Sequence, residues 1–175
     1  MPDVNIAPIM SEIEMLAERL GRELLTRGEW LTTAESCTGG GLSHAVTAIA
    51  GSSTWFDRGF VTYSNAAKVD MLGIAETTLE RHGAVSEATA RAMAQGALKH
   101  SKADWTVAVT GIAGPGGGTP DKPVGMVCFA WAQRDGGCEA LTCNFSGDRA
   151  EIREQAVRLA LSGALKRAMA ATLMA

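Results

Sequence analysis

The 175-residue chain has few of the residues that build metal centres or disulfide frameworks. Its four cysteines, Cys37, Cys128, Cys138 and Cys143, form no Cys-x-x-Cys pair, and the chain has only three histidines. A Cys/His zinc cluster is therefore not expected, and scattered thiols are typical of proteins in a reducing cytosol. We predict a cytoplasmic protein that uses no metal and no other cofactor.

Long apolar runs and an excess of basic residues are also missing. No apolar stretch approaches the roughly 18 residues of a membrane span, and residues 1–10 lack the basic patch and apolar run of a signal peptide. The formal net charge is −3, so no global basic field attracts nucleic acid. We therefore expect neither a membrane nor a nucleic-acid partner, and an anionic ligand has to be held by local groups.

Helical and strand-like patterns alternate along the chain. Apolar residues recur at three- and four-residue steps over residues 9–27, which predicts an amphipathic helix. A second helix is expected over residues 38–50, and Asp148 with Glu151 fits a capping box that opens the last helix. Runs at 30–35, 59–63 and 104–110 predict strands, and two further strands flank Asp135-Gly136-Gly137 as a hairpin. This order indicates one α/β domain, residues 1–175, with helices on both faces of a mixed sheet.

Two of the predicted strands run directly into glycine-rich loops. One precedes Ser36-Cys37-Thr38-Gly39-Gly40-Gly41, and the other precedes Gly111-Ile112-Ala113-Gly114. Such loops place backbone N–H groups at the sheet edge where open α/β folds bind ligands. They match neither a Walker loop nor a dinucleotide fingerprint. They indicate a cradle for a phosphate or carboxylate, and a tight turn with a helix cap is the alternative.

Further candidate ligand contacts follow from this placement. We expect the Thr110 hydroxyl to reach a ligand, and Arg149 with Arg153 to clamp a phosphate unless both form surface ion pairs. Residues 114–123 form a long loop that is a candidate lid. The candidate substrate-binding residues are Ser36, Thr38, Gly39, Gly40, Gly111, Gly114 and Arg149.

A serine pair and a lysine offer a nucleophile and a base. Ser52 and Ser53 follow a glycine, and Lys68 comes 15 residues after Ser53. A desolvated lysine can activate a serine, as an alternative to the histidine triad. The same residues also fit a turn and a solvated helix position, and Cys37 fits a small buried thiol better than a nucleophile.

Six short motifs occur in order along the chain. They are Ala34-Glu35-Ser36-Cys37-Thr38-Gly39-Gly40, Gly51-Ser52-Ser53, Val61-Thr62-Tyr63-Ser64-Asn65 with Lys68, Gly83-Ala84-Val85-Ser86-Glu87, Thr110-Gly111-Ile112-Ala113-Gly114-Pro115 and Pro123-Val124-Gly125. Together they closely resemble the nicotinamide-nucleotide amidohydrolase family, also called the CinA C-terminal domain family. The resemblance extends over about residues 10 to 170.

This resemblance implies a fold, a reaction and a set of catalytic residues. The fold is a three-layer α/β/α sandwich around a mixed, mostly parallel sheet. The reaction is the metal-free deamidation of nicotinamide mononucleotide to nicotinate mononucleotide and ammonia. Carried onto this sequence, Ser53 is the nucleophile and Lys68 its base, while Tyr63, Thr110 and Ser36 supply supporting hydroxyls.

Two other functions remain open at this point. The chain could be a non-catalytic nucleotide-binding module with the same fold, or an amidase for a different small amide. The partner we expect is the small-molecule substrate. The alanine- and methionine-rich segment 163–175 is a candidate contact for a homo-oligomer.

Overall fold

Five strands form one mixed sheet in this computed structural model, which describes residues 10–174. The sheet order is β2-β1-β3-β4-β5, with β1 paired in parallel to both β2 and β3, and with β4 antiparallel to β3 and β5. The parallel strands therefore lie at one side of the sheet and the hairpin at the other. The strands are β1 Leu31–Glu35, β2 Phe56–Val61, β3 Trp105–Gly111, β4 Met126–Gln133 and β5 Cys138–Asn144.

Six helices in the described part of the chain cover both faces of the sheet. The first, second and last pack together on one face, and the other three pack on the opposite face. This confirms the predicted α/β sandwich around a mixed sheet. The helices are α1 Glu12–Arg27, α2 Gly41–Thr47, α3 Asn65–Leu72, α4 Glu76–His82, α5 Glu87–Lys99 and α6 Arg149–Met174.

Side-chain alternation gives the two faces different cores. On β4, Phe129 and Trp131 point toward α6, whereas Cys128, Ala130 and Ala132 point toward α5. Successive strand residues face opposite sides of a sheet, so one strand serves both layers. The α5 face is built largely from alanines, and this lets α5 lie close to the strands. The α6 face also contains alanine, but leucine, valine and the larger side chains of tryptophan and phenylalanine fill it.

Local signals account for most element boundaries. Ser11 caps α1 through a capping box with Glu14, and Asp148 forms the predicted box with Glu151 at the start of α6. The first apolar residue of the predicted α1 pattern, Ile9, lies outside the described residues. The hairpin also forms where predicted.

Two boundaries differ from the sequence-based expectation. The second strand begins at Phe56 rather than at residue 59, because it is an edge strand and tolerates polar residues such as Asp57 and Arg58. Helix α2 is shorter than the expected 38–50, because Ser36 to Gly40 form an irregular loop whose last two glycines have positive φ. None of the helices described by the structure is long and apolar enough to cross a membrane.

Gly96 offers a test of the close packing of α5. A Cβ at this position would come within 2.9 Å of the Leu72 side chain and closer still to the Leu72 carbonyl oxygen. We expect Gly96→Ala to lower the free energy of unfolding by about 1–2 kcal/mol, because overpacking outweighs the gain in helix propensity. Urea denaturation followed by circular dichroism measures the change.

Gly137→Ala is the matched control. The Gly137 position in the hairpin has no atom within 4 Å of an added Cβ, so we expect a change below about 0.5 kcal/mol. Equal unfolding midpoints for the two variants would contradict the close approach of α5 and α3.

Candidate active site

The three parallel strands end at one edge of the sheet, and a pocket of about 260 Å³ opens there. The loop after β1 contributes Ser36, the segment after β2 contributes Tyr63, and the end of β3 contributes Thr110. Lys68 on α3 and Arg149 at the start of α6 complete the polar lining. This is the edge at which an α/β fold of this kind binds ligands.

A lysine–serine pair lies at the base of this pocket. The Lys68 ammonium donates hydrogen bonds to Ser36 Oγ at 3.0 Å and to the Thr62 carbonyl oxygen at 2.8 Å. Lys68 is 1% exposed, and no carboxylate side chain lines the pocket within the described residues. Burial therefore lowers the pKa of Lys68 from its ordinary value, although the neighbouring Cys37 opposes this shift. Lys68 is placed to act as a base toward Ser36.

The predicted contact between Ser53 and Lys68 is not formed. Ser53 is exposed in a short 3-10 turn, Ser52–Thr54, which directly precedes β2. That turn lies at the amino edge of the parallel strands, and Lys68 approaches their carboxyl edge. Strand β1 has five residues, so the amino and carboxyl edges of the parallel strands are roughly 13 Å apart. We therefore correct the sequence-based pairing: the serine that contacts Lys68 is Ser36.

The structure brings three other predicted residues together. Arg149 donates one hydrogen bond to the Tyr63 hydroxyl at 2.9 Å and one to the Gly114 carbonyl oxygen at 2.7 Å. Its guanidinium has further N–H groups left for an anion. The Thr110 hydroxyl also lines the pocket, but it donates to the Ala84 carbonyl oxygen at 2.8 Å. Arg149 therefore links the segment after β2 to the loop after β3.

The glycine-rich loop after β3 forms one wall of the pocket. Gly111 and Gly114 line it as predicted, together with Gly116 and Gly117. The far end of this loop is tied down by Lys122, whose ammonium donates to the His82 carbonyl oxygen at 2.7 Å. Closure of the 114–123 segment over a ligand stays a prediction.

Thr38, Gly39 and Gly40 do not line this pocket, although the sequence predicted them as substrate contacts. The Thr38 hydroxyl donates inward to Glu35, and the two glycines adopt positive φ to turn the chain into α2. Arg153, predicted with Arg149 as a phosphate clamp, instead donates to the Cys37 and Thr38 carbonyl oxygens at 3.2 and 3.0 Å. These residues shape the Ser36 loop.

Cys37 lies in the pocket wall beside Ser36. Burial raises the pKa of its thiol to about 11, and the positive charges of Arg153 and Lys68 only partly offset that increase. The thiolate is the reactive form of cysteine, so at neutral pH this side chain is a poor nucleophile. The structure agrees with its interpretation as a small buried thiol.

Comparison with known proteins identifies the family to which this sequence is similar. The model of the CinA C-terminal domain matches residues 13–168. The nicotinamide-nucleotide amidohydrolase PncC of Escherichia coli K12 is 55% identical over 152 residues, which cover 86% of this chain and 92% of that protein. The protein of the same name from Pseudomonas putida is 48% identical, over 90% of this chain and 98% of its own length.

Solved structures agree with the sequence matches. The competence/damage-inducible protein CihA from Agrobacterium tumefaciens superposes with a TM-score of 0.87 at 49% identity, covering 92% of this chain and 99% of that one. A CinA superfamily protein from Klebsiella pneumoniae superposes with a TM-score of 0.86 at 41% identity, covering 90% and 98% of the two chains. The chain therefore belongs to the CinA C-terminal domain family, as its six ordered motifs predicted.

Proposed function

We propose that this protein hydrolyses the carboxamide of nicotinamide mononucleotide to nicotinate mononucleotide and ammonia. The names of relatives that are 48–55% identical over most of the chain support this substrate. The observation that carries the reaction type is the hydrogen bond between the buried Lys68 and Ser36 inside the pocket. A serine with a desolvated lysine base is suited to acyl transfer from an amide.

Ser36 and Lys68 divide the chemical work. The neutral Lys68 amine accepts the Ser36 hydroxyl proton as Oγ bonds to the carboxamide carbon, which gives a tetrahedral intermediate. When the C–N bond breaks, the Lys68 ammonium returns the proton and ammonia leaves. Water then attacks the nicotinoyl ester with Lys68 as base again, which releases the carboxylate and restores the serine. The sequence consumes one water for each ammonia and needs no other reactant.

Fixed groups around the pair assist this chemistry. Backbone N–H groups of the Ser36 loop or of the Thr110–Gly114 loop supply donors for the oxyanion, and each such donor is worth about 100- to 1,000-fold in rate. The pyridinium of the substrate is cationic, which makes its carbonyl carbon more electrophilic. The same charge disfavours a second cation nearby and helps to keep Lys68 neutral.

The substrate phosphate has one suitable cation at the pocket rim. Arg149 lines the pocket and is held in place by Tyr63 and Gly114. Backbone N–H groups of the adjacent glycine loop can share the phosphate oxygens. Because no acidic side chain lines the pocket in the described structure, its charge favours a ligand with a phosphate.

Replacement of the two serines distinguishes the proposed nucleophile, Ser36, from Ser53, which the family resemblance implies. We expect Ser36→Ala to reduce ammonia release from nicotinamide mononucleotide by at least about 1,000-fold, with substrate binding largely retained. Ser53→Ala should stay within about twofold of wild type, because Ser53 is an exposed residue at the opposite edge. A coupled ammonia assay without added metal measures both. Normal turnover by Ser36→Ala would overturn the assignment.

The pH dependence tests Lys68 as the base. Its lowered pKa means that the neutral amine fraction grows as pH rises through a range below that of ordinary lysine. We therefore expect kcat/KM to rise with pH on one limb and then to level off. Lys68→Arg keeps a positive charge, but a guanidinium does not give up its proton at these pH values and so cannot act as a base. This variant should therefore lose activity at every pH. If the Lys68→Arg enzyme were active and its kcat/KM rose with pH as in wild type, Lys68 would be excluded as the base.

Phosphate recognition is tested at Arg149. We expect Arg149→Met to raise KM for the mononucleotide about 10- to 100-fold, because a charge-assisted contact is lost. The effect on nicotinamide riboside, which lacks the phosphate, should be much smaller. Arg158→Met is the control, since Arg158 lies on the same helix but pairs with Glu12 at the surface. Equal losses for mononucleotide and riboside would show that Arg149 does not read the phosphate.

A further inference from the structure

Glu35 is a fully buried carboxylate next to the proposed nucleophile, and the mechanism gives it no role. It is the last residue of β1 and 0% exposed. Oε1 accepts hydrogen bonds from Thr38 Oγ1 at 2.8 Å and from the Leu42 amide at 2.7 Å. Oε2 accepts from the Ser43 amide at 3.0 Å and from Ser43 Oγ at 2.6 Å. A charge buried in this way is costly unless such bonds satisfy it.

These four bonds close the Ser36 loop onto itself. Glu35 precedes the loop, Thr38 lies within it, and Leu42 and Ser43 belong to the first turn of α2 that follows it. One side chain therefore joins the start, middle and end of the segment that carries Ser36. The loop cannot shift relative to β1 or α2 without breaking a hydrogen bond to a buried charge.

The sheet geometry explains how this clamp reaches the nucleophile. Successive residues along an extended chain point to opposite faces. Glu35 points toward α2, and Ser36 points toward α3, where Lys68 approaches. The Ser36 amide continues the ladder by donating to the Val109 carbonyl oxygen at 2.9 Å, and the Ser36 carbonyl accepts from Gly39. Fixing Glu35 and the Ser36 backbone leaves only the side-chain rotation of Ser36 free.

Capping of α2 does not by itself require a buried glutamate. The N-cap residue is Gly40, which has no side chain to accept from the first turn. A serine or aspartate near that position is the usual way to satisfy these amides. Glu35 does so from the preceding strand instead, and it thereby ties the helix to the residue beside Ser36.

We propose that Glu35 is a positioning residue: its carboxylate holds the Ser36 loop so that Ser36 Oγ stays within reach of both Lys68 and the reacting carbonyl carbon. This inference rests on the proposed role of Ser36 as nucleophile. Glu35 acts through the loop and does not touch the substrate, because it does not line the pocket.

The decisive variant is Glu35→Gln. Glutamine has nearly the same shape as glutamate, but an NH₂ group replaces one of the two carboxylate oxygens. That group cannot accept hydrogen bonds, so the two donors that now bond to the replaced oxygen lose their acceptor. We expect kcat to fall about 10- to 100-fold, which is the cost of a small misplacement of a reacting group. KM should change less than about threefold, because Arg149 and the β3 loop are untouched. Steady-state ammonia release gives both constants.

Glu29→Gln is the matched control for lost stability. Glu29 lies just before the other end of β1, is partly buried, and accepts from Trp105 Nε1 at 2.6 Å and from Arg27 at 2.7 Å. Its replacement also weakens a hydrogen-bonded carboxylate, but far from the pocket. We expect Glu29→Gln to lower the unfolding midpoint and to leave kcat unchanged. If both variants lose kcat in proportion to their loss of stability, Glu35 has a purely structural role.

A second readout does not depend on the substrate. A fluorophosphonate reagent phosphonylates activated serines, since the serine oxygen bonds to phosphorus and fluoride leaves, and peptide mapping identifies the site. Wild type should be labelled at Ser36 and Glu35→Gln labelled at least about tenfold more slowly. Wild type that is not labelled at Ser36 would refute the nucleophile and hence the proposed mechanism. Labelling at Ser36 with equal rates in both proteins would refute only the positioning role.

A milder variant keeps the test valid if Glu35→Gln does not fold. Ser43→Ala removes one of the four bonds to Glu35, the 2.6 Å contact to Oε2, together with the 2.8 Å contact between Ser43 Oγ and Thr33 Oγ1, and leaves the charge in place. We expect an intermediate loss of kcat, about three- to tenfold, with KM again little changed. Wild-type kcat in Ser43→Ala together with wild-type labelling would overturn the proposal.

Discussion

The proposed chemistry depends on one amine, Lys68, that is buried without a carboxylate partner among residues 10–174. Lys68 is 1% exposed and has two oxygen partners, a hydroxyl and a backbone carbonyl. An ammonium in that setting is poorly compensated, so burial favours the neutral form. A paired carboxylate would stabilise the charge and remove the base. The exclusion of acidic side chains from the described pocket lining is thus what the proposed role of Lys68 as a base requires.

The buried carboxylate and the buried amine lie on opposite faces of the sheet at the end of β1. On the α2 face, Glu35 carries a negative charge whose hydrogen bonds are all made within the protein. On the α3 face, one residue later, Ser36 meets the buried amine. The sheet separates the carboxylate from the amine although their residues are close in sequence. A glutamate on the same face as Lys68 would hold it as an ion pair instead.

The sequence predicts most of the fold but less of the site. Periodicity, capping residues and the hairpin turn are local signals, and they predicted the α/β sandwich and most elements. The edge that carries the site also followed, since both glycine loops come directly after strands. The pairing of Lys68 with Ser36 was not predicted, because it is a contact between α3 and the loop after β1, two segments 32 residues apart, and such a contact leaves no local signal in the sequence. The family resemblance implied Ser53, whereas the direction of the strands brings Ser36 to Lys68.

The hydrogen bonds of Glu35 were also not predicted from the sequence, because they too depend on the shape of a loop. A charged residue at the end of a buried run was visible, but its partners lie three, seven and eight residues ahead, in a loop whose shape depends on glycines with positive φ. Such a loop has no fixed periodicity from which contacts can be inferred.

The site therefore joins a rigid half and a more open half. The Ser36 loop is held by Glu35 from one side, by Arg153 from another and by the β3 ladder at Val109. The glycine loop after β3 is exposed over residues 115–121 and is held at its ends, through Gly114 and Lys122. Catalysis needs the nucleophile and base fixed to within a fraction of an ångström, whereas binding needs access for the substrate. The two glycine-rich loops resemble each other in sequence, but their hydrogen bonds differ in the way that the proposed roles require, with the first loop in chemistry and the second in recognition.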